Sequence, residues 1–360
     1  MNFLTALALS LSLALGVPTQ DTPRPSDVTV DTRITDPHGP GTEPGEGGAE
    51  ALNLARPVLN TWIPAPQGLI TSSSIGLPNA PTNGYRIEGK QVTGTWAAVI
   101  GYYQPTVNMV VTNSVIQGTW NTNNAGVFGN WTKWGLRLYD VQDFLAKGVI
   151  FRDIGNEHGA YLNVAGDVTF DQCWFYNIGS QGVQFVFRPT ETSNPAWAKN
   201  PGRIMIRRTV FQQVTGPTSQ GWPAGRASFT ISSHPRDIGF KNPGQDLVVR
   251  DVYMEAEWPT FTSSGKQAQS FGAIMCEWHD TLRINRVWID YTKPNTRPVI
   301  QAYHLNRMIM KNSYVKEGKI DIKDTPYVRI MDCTGDAVIW DTINGTPTAI
   351  GPVSGGYTKG

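Results

Sequence analysis

A nine-residue pattern of apolar and polar positions recurs eight times along the chain. Its first and third positions are apolar, and its sixth and eighth are apolar or small, as in Val168–Tyr176 and Ile204–Gln212. The other copies begin at Met109, Phe144, Leu247, Leu282, Met308 and Val328. Because so short a unit cannot bury its apolar face alone, the repeat predicts strands that stack on copies of themselves, as in a solenoid.

A second strand follows each copy, with mostly apolar residues at its third and fifth positions, such as Leu136 and Leu138. This alternation places one face inward and one outward. Its second residue is often glycine, which indicates a tight corner before the strand.

Successive copies begin 20 to 43 residues apart, and the shorter spacings leave no room for a crossover helix. The chain is therefore predicted to be all-β, a single-stranded right-handed parallel β-helix (solenoid) of about eight to ten rungs with loop insertions. A β-propeller is the structural alternative, but its antiparallel blades would need hairpin turns that are few in this sequence.

The fifth position of the nine-residue pattern is polar in most copies, which predicts a corner where the side chain serves turn backbone. The residues are Asn113, Gln172, Arg208, Asp251, Arg286, Asn312 and Asp332. Of the three cysteines, Cys173 and Cys333 occupy the same inward position five rungs apart, roughly 24 Å at about 4.8 Å per rung, which is too far for a disulfide. Cys276 is predicted to point outward.

Composition divides the chain into four parts. Residues 1–16 are an apolar run typical of a secretion signal, and residues 17–50 form a Pro/Gly-rich linker. Residues 51–350 are predicted to form the β-helix domain with an N-terminal cap, and residues 351–360 a flexible tail. The protein is expected to be secreted or at the cell surface, with no transmembrane segment. Its net charge of +1 gives no indication of a basic surface that would bind nucleic acid.

Candidate chemistry lies on the outward face of the second strands. One predicted column contains Arg137, Tyr161, Gln184, Phe229, Ile274 and Ile300, and a column at the strand starts contains Trp134, His158, Gln181, Arg226, Phe271 and Arg297. Tyr161 or His158 would act as base or acid, and Arg137 or Arg188 would neutralise a sugar carboxylate, as in a polysaccharide lyase. Gln184 would bind substrate, and rings on the inserted loops would stack on sugars, namely Trp131, Trp197, Trp222 and Trp258.

Two other functions compete with the lyase. A glycoside hydrolase would use Glu277 with a second acid, drawn from Asp140, Glu255 or Glu257. A non-catalytic adhesin or spike would use the loop tryptophans for contact, as a monomer or a homotrimer. No cofactor is predicted; calcium binding stays open, although no cluster of ligands is visible.

The double ladder of strands, over about residues 85–345, resembles the pectin-lyase-like superfamily of right-handed parallel β-helices. The stretch Glu157–Arg188 is similar to secreted right-handed β-helix repeat proteins, many of them linked to polysaccharides. Val287–Tyr291 resembles the VWIDH signature of pectate lyases, with Tyr291 in place of the histidine, and the RxPxxR signature is missing. The resemblance implies the fold and a polysaccharide partner, and it carries over no catalytic residue.

Overall fold

The computed structural model describes residues 63–119, 134–155, 157–179, 181–187, 202–214, 228–235, 245–257, 271–292 and 298–360. These residues form two β-sheets, and a single 3-10 turn, Val353–Gly355, is the only helical element among them. The first sheet, sheet A, contains β1 (Ile70–Ser73), β4 (Arg86–Glu88), β5 (Lys90–Thr93), β7 (Val110–Gln117), β9 (Phe144–Ile154), β11 (Val168–Asp171), β12 (Trp174–Ile178), β14 (Arg203–Val214), β16 (Asp246–Glu257), β18 (Thr281–Thr292), β20 (Arg307–Lys311), β21 (Tyr314–Val315), β23 (Tyr327–Met331) and β26 (Tyr357–Lys359).

The second sheet, sheet B, contains β2 (Ile75–Gly76), β3 (Thr82–Asn83), β6 (Ala97–Val107), β8 (Trp134–Gln142), β10 (His158–Val164), β13 (Gln181–Phe187), β15 (Ser228–Pro235), β17 (Phe271–Glu277), β19 (Ile300–Tyr303), β22 (Lys319–Lys323), β24 (Val338–Ile343) and β25 (Thr346–Pro352). From β5 to β24 the chain passes back and forth between the sheets, with β11 and β12, and β20 and β21, as consecutive strands of sheet A. Each strand pairs in parallel with a strand one rung away. The prediction of an all-β protein with parallel strands is confirmed, and the arrangement is consistent with a parallel β-solenoid.

The core lies between the two sheets and is built from the alternation that the sequence shows. Leu136, Leu138 and Phe185 of sheet B are fully buried, as are the inward residues of sheet A. Phe175 stacks between two other rings at centroid distances of 4.5 Å from Phe151 and 4.8 Å from Phe211. Aromatic rings on successive rungs of sheet A thus form a continuous ladder inside the solenoid.

The predicted corner at the fifth position of the repeat is confirmed. All seven polar residues there have positive φ, from 44° to 55°, and the remaining copy has Gly148 with φ of 63°. Asn113 serves backbone as expected: its Oδ1 accepts the N–H of Gln67 at 3.0 Å. Larger side chains link rungs instead, since Arg208 Nε donates to Asp171 Oδ1 at 2.8 Å.

Two of the three cysteine predictions are confirmed and one is wrong. Cys173 and Cys333 are buried, as expected for inward positions. Cys276 is buried too, not outward, because its register partners on neighbouring strands, Ser233 and Ala302, are inward positions. The three thiols are free.

The C-terminal end is ordered by two antiparallel strands rather than left as the flexible tail that its glycines predict. Strand β25 pairs with β24 and β26 pairs with β23, so each extends one sheet at the end of the solenoid. The buried carboxylate of Asp341 accepts bonds of 2.7 Å from Tyr357 and Lys359. These bonds connect β26 of sheet A to β24 of sheet B across the end of the core.

Several sequence predictions concern residues outside the described ranges. They include the secretion signal (1–16), the linker (17–50) and the loop residues Trp131, Arg188, Trp197, Trp222 and Trp258.

Candidate functional site

The outward face of sheet B brings three of the predicted site residues together. Tyr161 pairs in register with Arg137 on one side and with Gln184 on the other. At about 4.8 Å between neighbouring strands, the three side chains share one patch. The prediction that these three residues are neighbours in one column is therefore confirmed.

The rest of the predicted column is wrong. Beyond Gln184 the register continues through Ser232, which is itself buried, to the partly exposed Met275, Gln301, Asp321 and Trp340. Phe229, Ile274 and Ile300 are buried instead. The later strands have two apolar residues in succession, such as Ala273 and Ile274, so the alternation alone does not fix which of the two points inward.

Arg137 lies in a cage of four aromatic rings that the sequence did not predict. Its guanidinium carbon is 4.1 Å from the ring centroid of Trp134, and 5.4 to 5.9 Å from those of Trp96, Tyr103 and Tyr139. Arg137 Nη2 also donates to the hydroxyl of Tyr103 at 3.4 Å. Such cation–π contacts hold the guanidinium in place without neutralising its charge.

Two rings of the cage remain open to solvent. Trp96 is 45% exposed and Tyr103 is 64% exposed, which is unusual for side chains of this size. Both belong to the stretch around β6, which precedes the first copy of the nine-residue pattern at Met109. Large exposed rings beside a fixed cation form a surface suited to a ligand with both a flat apolar face and a negative group.

His158 stands at the start of β10, beside this cage. Its ring stacks on that of Tyr161, with a centroid distance of 5.7 Å and an interplanar angle of 15°. Burial lowers the pKa of His158 to about 3, with further lowering from His234 and Arg137. The imidazole is therefore neutral near pH 7, and its Nδ1 atom is buried without a hydrogen-bond partner.

Gln184 is held by a histidine that sequence analysis missed. His234 Nδ1 lies 2.9 Å from the carbonyl oxygen of Pro235, so this nitrogen carries the proton and donates it. His234 Nε2 then accepts from the Gln184 amide at 3.0 Å. The contact fixes the orientation of Gln184 next to Tyr161.

A second polar cluster lies farther along the same face and includes Glu277, the residue suggested for a hydrolase. Gln301 Nε2 donates to Glu277 Oε1 at 2.5 Å, and the Tyr303 hydroxyl donates to Asp321. Lys319 Nζ pairs with Asp321 at 2.9 Å. Glu277 and Asp321 thus lie on the two strands that flank β19. Glu255, by contrast, is on sheet A and accepts a hydrogen bond of 2.6 Å from the hydroxyl of Tyr253.

The histidine next to Glu277 does not join this cluster. His279 is buried, and its Nδ1 donates to the carbonyl oxygen of Glu277 at 2.7 Å while Nε2 accepts from Ser233 at 2.8 Å. Burial lowers its pKa to about 4. Although serine and histidine are in contact, both side chains are buried.

Among the described ranges, no three His, Cys, Asp or Glu side chains are grouped so that they could hold a metal ion. Within the same part of the chain, no helix is long and apolar enough to cross a membrane. The fold therefore defines an all-β protein with two parallel sheets and an aromatic, arginine-centred patch on one of them. No family model, curated protein or solved structure matches this chain.

Proposed function

We propose that this protein is a right-handed β-helix that binds a polysaccharide along the outward face of sheet B. The observation that supports it best is the cage around Arg137, with the exposed rings of Trp96 and Tyr103. Aromatic rings stack on the apolar face of a sugar, and a guanidinium pairs with a carboxylate. The ligand is therefore an acidic glycan. The right hand follows the general preference of parallel crossovers, and an experimental structure with the opposite hand would exclude it.

Lyase chemistry is the reaction that the same patch supports. Arg137 would neutralise the carboxylate of a uronic acid unit, which acidifies the neighbouring C–H group. Tyr161 or His158 would remove that proton, and the leaving oxygen would be protonated as the double bond forms. Between the two, Tyr161 is the preferred base, because burial lowers the pKa of His158 to about 3 and an imidazole with so low a pKa is a weak base near pH 7.

Trp96→Ala and Tyr103→Ala should each weaken binding of an acidic polysaccharide about tenfold, equivalent to about 1.4 kcal/mol, because each removes one stacking surface. Isothermal titration calorimetry with a panel of acidic and neutral glycans measures the change. Ile70→Ala is the control, since Ile70 is also an exposed apolar residue, at 66% exposure, but it lies on sheet A. Equal losses in all three variants, or none, would contradict the proposed face.

Tyr161→Phe should abolish the release of unsaturated, ultraviolet-absorbing sugar while glycan affinity stays within about twofold, since only one hydroxyl is removed from the binding surface. Absorbance at the wavelength of the new double bond follows turnover. Unchanged turnover would exclude Tyr161 as base or acid. Binding by the unaltered protein without any cleavage would favour the adhesin, and release of saturated reducing ends would favour a hydrolase at Glu277.

A further inference from the structure

Two Asn-Gly dipeptides occur in the chain, Asn83-Gly84 and Asn344-Gly345, and the fold holds them differently. In such a dipeptide the backbone nitrogen of the glycine can attack the carboxamide carbon of the asparagine, because no β-carbon blocks its approach. Whether the attack occurs depends on whether these two groups are free to meet. Both asparagines are exposed, so exposure alone does not distinguish them.

At Asn83, hydrogen bonds restrain both reacting groups, the side-chain carboxamide and the backbone nitrogen of the following glycine. Its side-chain Oδ1 accepts a hydrogen bond of 2.9 Å from Asn108 Nδ2. The attacking group is engaged as well, since the N–H of Gly84 donates to the carbonyl oxygen of Val107 at 3.0 Å. Attack at Asn83 therefore requires at least two hydrogen bonds to break first.

Asn344 and Gly345 form the two-residue loop between β24 and β25, where Ile343 pairs with Thr346. Their φ angles of 50° and 79° are those of a type I′ turn, for which Asn-Gly is the preferred sequence. Within the described part of the chain, neither the Asn344 side chain nor the Gly345 N–H makes a hydrogen bond. A β-carbon built on Gly345 would meet no atom within 4 Å, so the space around the loop is open.

We propose that Asn344 is a site of spontaneous deamidation, whereas Asn83 is protected. Base removes the proton of the Gly345 nitrogen, which forms a bond to the Asn344 carboxamide carbon. The protonated base returns a proton to the side-chain nitrogen, the bond from that carbon to this nitrogen breaks, ammonia leaves, and a cyclic imide remains. Water then adds to one of the two imide carbonyls and opens the ring to aspartate or to isoaspartate.

The modification would change the end of the solenoid as well as the charge of the loop. Isoaspartate routes the main chain through the side chain and so lengthens a loop that has only two residues. The type I′ geometry that matches the strand twist is then lost, and the pairing of β25 with β24 is weakened next to the loop. Asn344 is also the acceptor of an Asn-Gly-Thr glycosylation sequon, which the reaction would destroy.

Incubation of the full chain in mildly alkaline buffer at physiological temperature, followed by peptide mass spectrometry, tests the proposal. Conversion at Asn344 should be at least about tenfold faster than at Asn83, the factor that about 1.4 kcal/mol of activation free energy supplies. Enzymatic methylation of isoaspartate should label the peptide that contains residue 344. Asn344→Gln should remove that label without affecting the Asn83 peptide.

The protection of Asn83 has its own test. Asn108→Gly removes the side chain that binds Asn83 and tolerates the positive φ of 54° at that position, so it should raise conversion at Asn83. Equal rates at the two sites in the unaltered protein would overturn the proposal. So would the absence of conversion at Asn344 under conditions in which a short unstructured peptide of the same sequence reacts.

Discussion

Gly159→Ala is expected to lower the free energy of unfolding by about 3 kcal/mol, the upper part of the range for overpacked cores. A β-carbon at this position would lie 2.6 Å from the backbone oxygen of Gly182 and 2.8 Å from Cδ1 of Phe175. Neither atom can retreat, since Gly182 belongs to the next rung and Phe175 is stacked between Phe151 and Phe211. Denaturant unfolding followed by fluorescence measures the loss.

Gly101→Ala is the matched control for this substitution. Gly101 is also buried in a strand of sheet B, but a β-carbon there would approach only side-chain atoms at 3.6 Å, an ordinary contact. Its stability should change by less than about 1 kcal/mol, with a small gain from the stiffer unfolded chain. If the two variants are equally stable, the glycine position in β10 is not set by the phenylalanine ladder.

Acidification should destabilise the protein through its two buried histidines. Burial lowers the pKa from 6.5 to about 4 in His279 and to about 3 in His158. Below pH 6.5 the unfolded chain therefore binds protons that the folded chain does not bind. The contribution of the two histidines to the free energy of unfolding is fully present above pH 6.5 and decreases as the pH falls. The two groups together contribute a decrease of about 2 to 3 kcal/mol per pH unit between pH 6.5 and pH 4.

Thermal or denaturant unfolding at a series of pH values measures this slope. His279→Gln and His158→Gln should each reduce it by about half, and the double variant should remove most of the decrease in that window. His279 is 3% exposed, and the His158 side chain is 12% exposed, so solvent screening of either effect is small. A double variant with the slope of the unaltered protein would show that other groups control acid stability.

The sequence predicted the ladder of strands because side-chain periodicity is a local property. Burial requires an apolar residue at every second position of a strand, and the polar residue at the fifth position of the repeat is where the backbone turns. Arg208 and Asp251 were placed at corners on this basis, and both have positive φ. The frequent glycine at the second position of the sheet B strands predicts a corner. At Gly159, however, glycine is required because Phe175 packs too closely to leave room for a β-carbon.

The candidate site could be predicted only in part. Arg137, Tyr161 and Gln184 come from strands with clean alternation, so their outward phase was determined by sequence. Ser232 could not be placed correctly, because β15 is displaced relative to its copy of the pattern. The cage residues Trp96 and Tyr103 could not be predicted because they precede the first clear copy of the repeat.

By itself, the sequence determined that the chain is all-β, that its strands stack in a repeated order, and where most corners lie. These properties follow from periodicity and from the backbone preferences of single residues. Only the tertiary structure decided which residues meet across rungs, such as Arg137 with Trp96, and that His279 and Cys276 face inward. Those contacts depend on strand register between rungs, and register is set by packing of the whole core rather than by any one strand.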